Sequence, residues 1–285
     1  MSLQSSTTRS TPLKLRVGYS DDFTTMPLVY GIDGILKGGV GRRYQSMQEV
    51  RQSFQNGECE VALLPVADVL RMKEPVVIPC SSCSTLGASR LLTVFSKKLP
   101  TEIRRVLVDQ EDLGATPLAQ LMMQKKLQIR PEFIPATFPL DPTKYNVMQD
   151  DGFDAYLMSG KHCFLVRRDL FTYTMDLTLA WYEYTRMPYV INVWVTRKGL
   201  KLQNVDKELG DVARRNEGSA ETPTKAAERL GVSESGVRAV YSKAMVTSFD
   251  ALITQAFRRF GQEISVNKVF AVQPVSIYVP PVARK

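Results

Sequence analysis

The residues able to do chemistry in this sequence are few and scattered. His162 is the single histidine, and its ordinary pKa range suits a general base or acid. It stands in Gly160-Lys161-His162-Cys163 with no Asp or Glu beside it to orient the ring, a setting equally ordinary for an exposed histidine. Cys80 and Cys83 make one C-x-x-C, no second pair completes a zinc site, and one histidine excludes a multi-histidine metal centre. The four cysteines therefore read as structural or incidental thiols. No Gly-x-Ser-x-Gly elbow is present. What is plentiful is hydroxyls and glycine in the loops at 20–25, 81–90, 111–116 and 159–161. Hydroxyls and backbone N–H groups bind carboxylates and phosphates, so this inventory suits an anion binder more than a hydrolase.

Such loops need elements to hold them. Leu15-Arg16-Val17-Gly18-Tyr19 reads as a short strand, and after Pro27 the residues Leu28, Val29, Ile32 and Ile35 continue at helical spacing. A polar helix follows at 45–55, a buried strand at 61–65, a helix at 67–72, and strands at 76–79 and 91–95. Further on come strands at 105–108, 133–134, 154–158 and 190–195, helices at 116–126 and 176–184, then helices to about residue 264 and a last strand at 270–278. This alternation predicts parallel sheets flanked by helices, with a ligand beyond the carboxyl ends of the strands.

The 285 residues are 44% hydrophobic and 23% charged, which excludes a disordered, collagen-like or disulfide-stapled chain and leaves room for two lobes. A net charge of +8 suits an anionic small molecule, nucleic acid or an anionic surface and chooses among none of them. Residues 1–12 read as a disordered polar tail without a secretory signal. No apolar run is long enough to span a membrane, so a soluble, cytoplasmic protein is expected.

Two motifs have bland readings. Gly38-Gly39-Val40-Gly41, before Arg42-Arg43, lacks the phosphate-loop pattern and reads as a plain Gly-rich turn. Residues 224–241 resemble a helix-turn-helix, with Ala227, Leu230 and Val232 inside and Gly231 at the turn. The second helix presents Glu234, Ser235 and Arg238, too little positive charge for a DNA footprint, so no nucleic-acid partner is expected.

Four stretches together resemble the menaquinone-biosynthesis family of the futalosine route, and most nearly its chorismate dehydratases. Leu15-Arg-Val-Gly and Thr25-Met-Pro-Leu-Val-Tyr-Gly-Ile32 are similar to the family's L-R-[IV]-G…N-T-x-P-L-x-Y-G-L. Glu60-Val-Ala-Leu-Leu-Pro65 is similar to D-[VA]-A-L-[IV]-P, and Ser89-Arg-Leu-Leu-Thr-Val-Phe-Ser-Lys97 to V-[RK]-S-V-x-L-F-S. The run from Asp154-Ala-Tyr-Leu-Met-Ser-Gly160 through Trp181 to Val193-Trp194 is similar to D-A-x-L-x-I-G…D-L…W…G-L-P-F-V-x-A-x-W. The match is in order over roughly residues 14 to 265.

The resemblance implies an α/β, two-lobed clamshell like the type II periplasmic binding proteins, with mixed sheets flanked by helices. Lobe one would comprise 13–97 and 195–285, and the inserted lobe two 98–194. It implies removal of water from chorismate to give carboxyvinyloxybenzoate, with no metal or redox cofactor, in a monomer or homodimer. The expected site is Thr24 as the catalytic residue, with Thr25, Ser84, Thr85, Ser89, Arg90, Thr116 and Gly160 binding substrate. Arg90, whose planar fork matches a carboxylate, is the favoured anion partner. The chain departs from the family at positions that bear on the chemistry. Thr24 stands at the asparagine of Y-L-N-T, Gly114 and Ala115 stand at the hydroxyls of S-R-T-S, and Lys161 stands where an Asp often follows I-G. A non-catalytic binder of an anionic metabolite on the same scaffold is the alternative.

Overall fold

The computed structural model describes residues 14–110, 113–138 and 152–280, so the expected tail at 1–12 lies outside the described residues. The chain runs through β1 (Leu15–Ser20), α1 (Met26–Val29), β2 (Gly39–Tyr44), α2 (Met47–Asn56), β3 (Val61–Pro65), α3 (Val66–Val69) and β4 (Pro75–Thr85). It continues with β5 (Leu92–Ser96), β6 (Arg105–Asp109), α4 (Thr116–Met122), β7 (Glu132–Ala136), β8 (Ala155–Ser159), α5 (His162–Leu165), β9 (Tyr173–Asp176) and α6 (Leu177–Thr185). The last part is β10 (Tyr189–Arg197), α7 (Val205–Asn216), α8 (Glu221–Leu230), α9 (Glu234–Lys243), β11 (Met245–Val246), α10 (Ala251–Val266) and β12 (Ser276–Ile277).

Two mixed sheets result. The first has the order β11-β4-β10-β3-β1-β2, with β12 on the same edge of β4 as β11; the second has the order β7-β6-β8-β5-β9. β1 runs parallel to β2 and β3, and β6 parallel to β7 and β8, so the carboxyl ends of each parallel set gather on one side. β3 and β10 are buried almost throughout, as continuous apolar runs must be when helices cover both faces. Trp181 and Trp194 are fully buried, and each indole N–H has a partner, Pro188 O at 2.9 Å and Ser81 Oγ at 3.1 Å.

Sheet membership moves the expected lobe boundaries. β5 pairs antiparallel with β8, and β10 pairs with β3 and β4, so the chain crosses between sheets within 86–91 and again within 177–188. Residues 92–96 therefore belong with the second sheet, and 189–194 with the first.

Three local expectations are corrected. Gly39, Val40 and Gly41 are strand β2, not a turn: a Cβ on Gly39 would lie 3.1 Å from Leu15 O, so glycine permits the close pairing with β1. The expected strand at 76–79 extends to Thr85, because β10 and β11 supply ladder partners as far as that residue. The expected strand at 270–278 is only Ser276–Ile277. Residues 221–243 do form helix, turn and helix, with Gly231 left-handed at φ 66°. Their buried residues are Thr222, Pro223, Ala226, Ala227, Val237 and Val240. The second helix faces the protein: Tyr241 donates to Phe23 O at 2.8 Å, and Arg238 is engaged by Glu234 at 2.6 Å.

Candidate functional site

A cavity of about 510 Å³ opens between the sheets at the carboxyl ends of β1, β3, β6 and β8. One wall is the turn after β1. There Asp22 Oδ1 accepts from Thr24 N at 2.7 Å, Thr25 N at 3.1 Å and Thr24 Oγ1 at 2.6 Å, while Oδ2 accepts from Ser20 Oγ at 3.1 Å. The carboxylate thus holds the two turn N–H groups that precede α1, the local side-chain-to-backbone bonding of an Asx turn. Asp22 is ringed by protein yet keeps some surface on the cavity. Burial pushes its pKa up from the ordinary carboxylate value, and the donated hydrogen bonds only partly offset that.

The floor comes from β10. Its pairing with β4 slips between Val190 and Asn192, a bulge at Ile191. A regular strand would turn Ile191 and Asn192 to opposite faces; the bulge lets both line the cavity. Asn192 is 2% exposed, and its Nδ2 donates to Thr24 Oγ1 at 2.7 Å.

The second sheet supplies the opposite wall. Asp109 ends β6, Ser159 ends β8, and His162 begins α5 with its Nε2 3.1 Å from Asp109 Oδ2. Phe138 packs edge-on against the imidazole, with centroids 5.9 Å apart. Lys161 also lines the cavity. At the rim, Asp21 pairs with Arg43 at 3.2 Å and with Arg229. Gly160 is left-handed at φ 51°, and a Cβ there would sit 3.7 Å from Phe23 Cβ.

Of the expected residues, Thr24 and Gly160 line this cavity and six do not. Thr24 itself is a link: its proton goes to Asp22 and its lone pair to Asn192. Thr25 lies behind the turn, donating to Ser20 O at 2.5 Å. Ser84 and Thr85 are buried within β4, Ser84 Oγ lying 3.0 Å from Ser82 Oγ. Ser89 Oγ lies 2.9 Å from Thr178 Oγ1, fastening the crossing to α6. Arg90 is exposed and left-handed at φ 60°, and its backbone N–H, not its guanidinium, meets an acid, Asp176 Oδ2 at 2.7 Å. Thr116 lines a different cavity, with Arg51, Asp68 and Gln120.

Asp22, Asp109 and Asn192 are not among the expected residues, and His162 has an ordinary reading in sequence. Asp109 and His162 are 53 positions apart in number (162 less 109), so no local spacing joins them. Asn192 did leave a signal, an amide inside the apolar run Val190-Ile191-Asn192-Val193-Trp194. The thiols are poor ligands and nucleophiles: burial pushes Cys80 and Cys163 up to about 12 and Cys83 well above its usual value. Among the described residues, no helix is long and apolar enough to cross a membrane.

A family model for menaquinone biosynthesis matches residues 15–262. Among solved structures, the chain is similar to a protein of Archaeoglobus fulgidus, with TM-score 0.65 and 16% identity over 90% of this chain and 98% of that one. It is also similar to the periplasmic aliphatic sulphonate binding protein of Escherichia coli, with TM-score 0.59 and 10% identity over 96% and 97%. A third is the ligand binding component of an ABC-type import system from Staphylococcus aureus, with TM-score 0.61 and 10% identity over 93% and 96%. At such identities the likeness is one of fold, and that fold is the periplasmic-binding-protein clamshell. No curated protein matched the sequence.

Proposed function

The chain belongs to the menaquinone-biosynthesis family, and from that premise we propose that its cleft removes water from chorismate, a dicarboxylate with a non-aromatic ring. The dehydration takes one ring proton and the neighbouring hydroxyl, and formation of the aromatic ring drives it. The chemistry needs a base for the ring proton, an acid for the leaving hydroxyl, and donors for two carboxylates. It calls on no metal or redox cofactor.

The observation that carries this reading is the placing of Asp22 and the His162–Asp109 pair on opposite walls of one cavity. A carboxylate with a raised pKa is a better base than an exposed one, so Asp22 takes the ring proton. His162, oriented by Asp109, hands a proton to the departing hydroxyl, and the two transfers balance as one water leaves. Lys161 neutralises a substrate carboxylate, and the lobes exclude bulk water around the reacting ring. Thr24 serves the reaction by holding Asp22. The reading includes a cytoplasmic location.

The alternative, a binder without turnover, is favoured by Gly114 and Ala115: both line the cavity where the resembled pattern has hydroxyls. Incubation with chorismate, followed by mass spectrometry, separates the two. A product lighter by one water that grows with time supports the dehydratase. Unchanged chorismate with a raised melting temperature supports the binder, and neither effect rejects both ligand assignments.

A further inference from the structure

Asn192 is an amide set in an apolar strand, turned to the cleft by a bulge, and the mechanism above leaves it without a task. Its surroundings supply one. A threonine hydroxyl has one proton to give and lone pairs to accept with. The Thr24 proton goes to Asp22 Oδ1 at 2.6 Å, so the same oxygen meets Asn192 as an acceptor. With the amide turned the other way, two oxygens would face each other with no proton between them. The hydrogen bonds therefore run in one direction, from Asn192 to Thr24 to Asp22.

We infer that Asn192 is a positioning residue for the base of the cleft: by donating to Thr24 it commits the threonine proton to Asp22 and keeps that carboxylate ionised and aimed. Without the amide, the hydroxyl is free to rotate about its C–O bond, and Asp22 loses a fixed donor. Two departures from the resembled pattern meet in this one contact. Asn192 stands at the alanine of V-x-A-x-W, and Thr24 at the loop asparagine.

The other charged and titratable groups around Asp22 do not duplicate the relay. Cys83 on β4 and Tyr241 on α9 are kept neutral by burial. Asp21 is taken by Arg43 and Arg229 at the rim. Lys161, His162 and Asp109 stand on the opposite wall.

The inference rests on Asp22 being the base of the proposed reaction, but its test does not require turnover. The carboxyl carbon of Asp22, labelled with carbon-13 and assigned by its loss in Asp22→Asn, is titrated by NMR in the wild type and in variants. Thr24→Val is expected to raise the midpoint by about one pH unit, the worth of one lost hydrogen bond to a charged group, and Asn192→Ala to raise it in the same direction by up to that amount, because it frees the hydroxyl that makes the bond. The double variant rises no further than Thr24→Val alone, since both changes act through the same bond. Asn192→Asp, nearly isosteric, turns the donor into an acceptor and raises the midpoint at least as far. An unchanged midpoint in folded Asn192→Ala and Asn192→Asp overturns the inference. With chorismate as substrate, the acid limb of the kcat profile moves up with the same variants. A wild type that leaves chorismate untouched fails the functional reading alone, because the titration still decides the role of Asn192.

Discussion

Phe23 and Phe164 stack face to face, ring centroids 4.6 Å apart and planes 13° apart. Phe23 belongs to the turn after β1 and Phe164 to α5 of the second lobe, so the stack joins the lobes beside the cavity. Tyr241 meets Phe23 edge-on at 5.2 Å, and Gly236 leaves room for the Phe164 ring, which would lie 3.2 Å from an added Cβ. The helix-turn-helix-like run thus acts as a backing for the turn that carries Asp22.

Replacing Phe164 by Ala removes an aromatic pair worth about 1 kcal/mol beyond its buried area. If ligand is held between lobes drawn together by this stack, its affinity falls about fivefold, with kcat changed less than KM. Calorimetric titration of wild type and variant with the same ligand checks this, and equal affinities remove the stack from ligand binding.

Arg90→Ala leaves binding and turnover unchanged, because the side chain is exposed and only its backbone is engaged. Lys161→Ala weakens binding of a dianion, since it removes a cation that lines the cavity. Measured side by side, a larger loss at Arg90 than at Lys161 would reverse the assignment of the anion partner.

Asp22→Asn stabilises the protein at neutral pH. The folded pKa of Asp22 is raised, so between its unfolded and folded values the native state holds more protons than the unfolded state. Stability from this group therefore falls as pH rises through that window, and the penalty persists above it. Denaturant melts of wild type and variant should diverge above the window and converge below it. A variant less stable at neutral pH contradicts the raised pKa.

Gly160→Ala costs about 1 kcal/mol, because an L-residue is strained at φ 51°. The space 3.7 Å from Phe23 Cβ accepts a methyl group, so the loss shows as a lower melting temperature with the cleft still able to bind. Loss of binding with unchanged stability would place Gly160 against the ligand itself.

The sequence made the architecture legible because strand periodicity and short loops are local signals. Its β-α alternation gave both parallel sets, and the hydroxyl-rich turn at 20–25 proved to be one wall of the cleft. The rest depends on contacts between distant residues. Ser84 and Thr85 sit among hydroxyls that resemble a ligand loop, but ladder partners from β10 and β11 make that segment a strand. Asp22 reads as a loop acid until the fold surrounds it, and His162 lacks an orienter in sequence because Asp109 arrives from another strand. The bulge that turns Asn192 to the cleft has no residue signature of its own.

The most direct test of the account compares wild type and Asp22→Asn with chorismate, following the aromatic product by its ultraviolet absorbance and binding by thermal shift. The account predicts product from the wild type, and from Asp22→Asn normal binding with turnover reduced about a hundredfold or more, the usual worth of a general base. Equal rates in the two proteins, or no product from either, would contradict it.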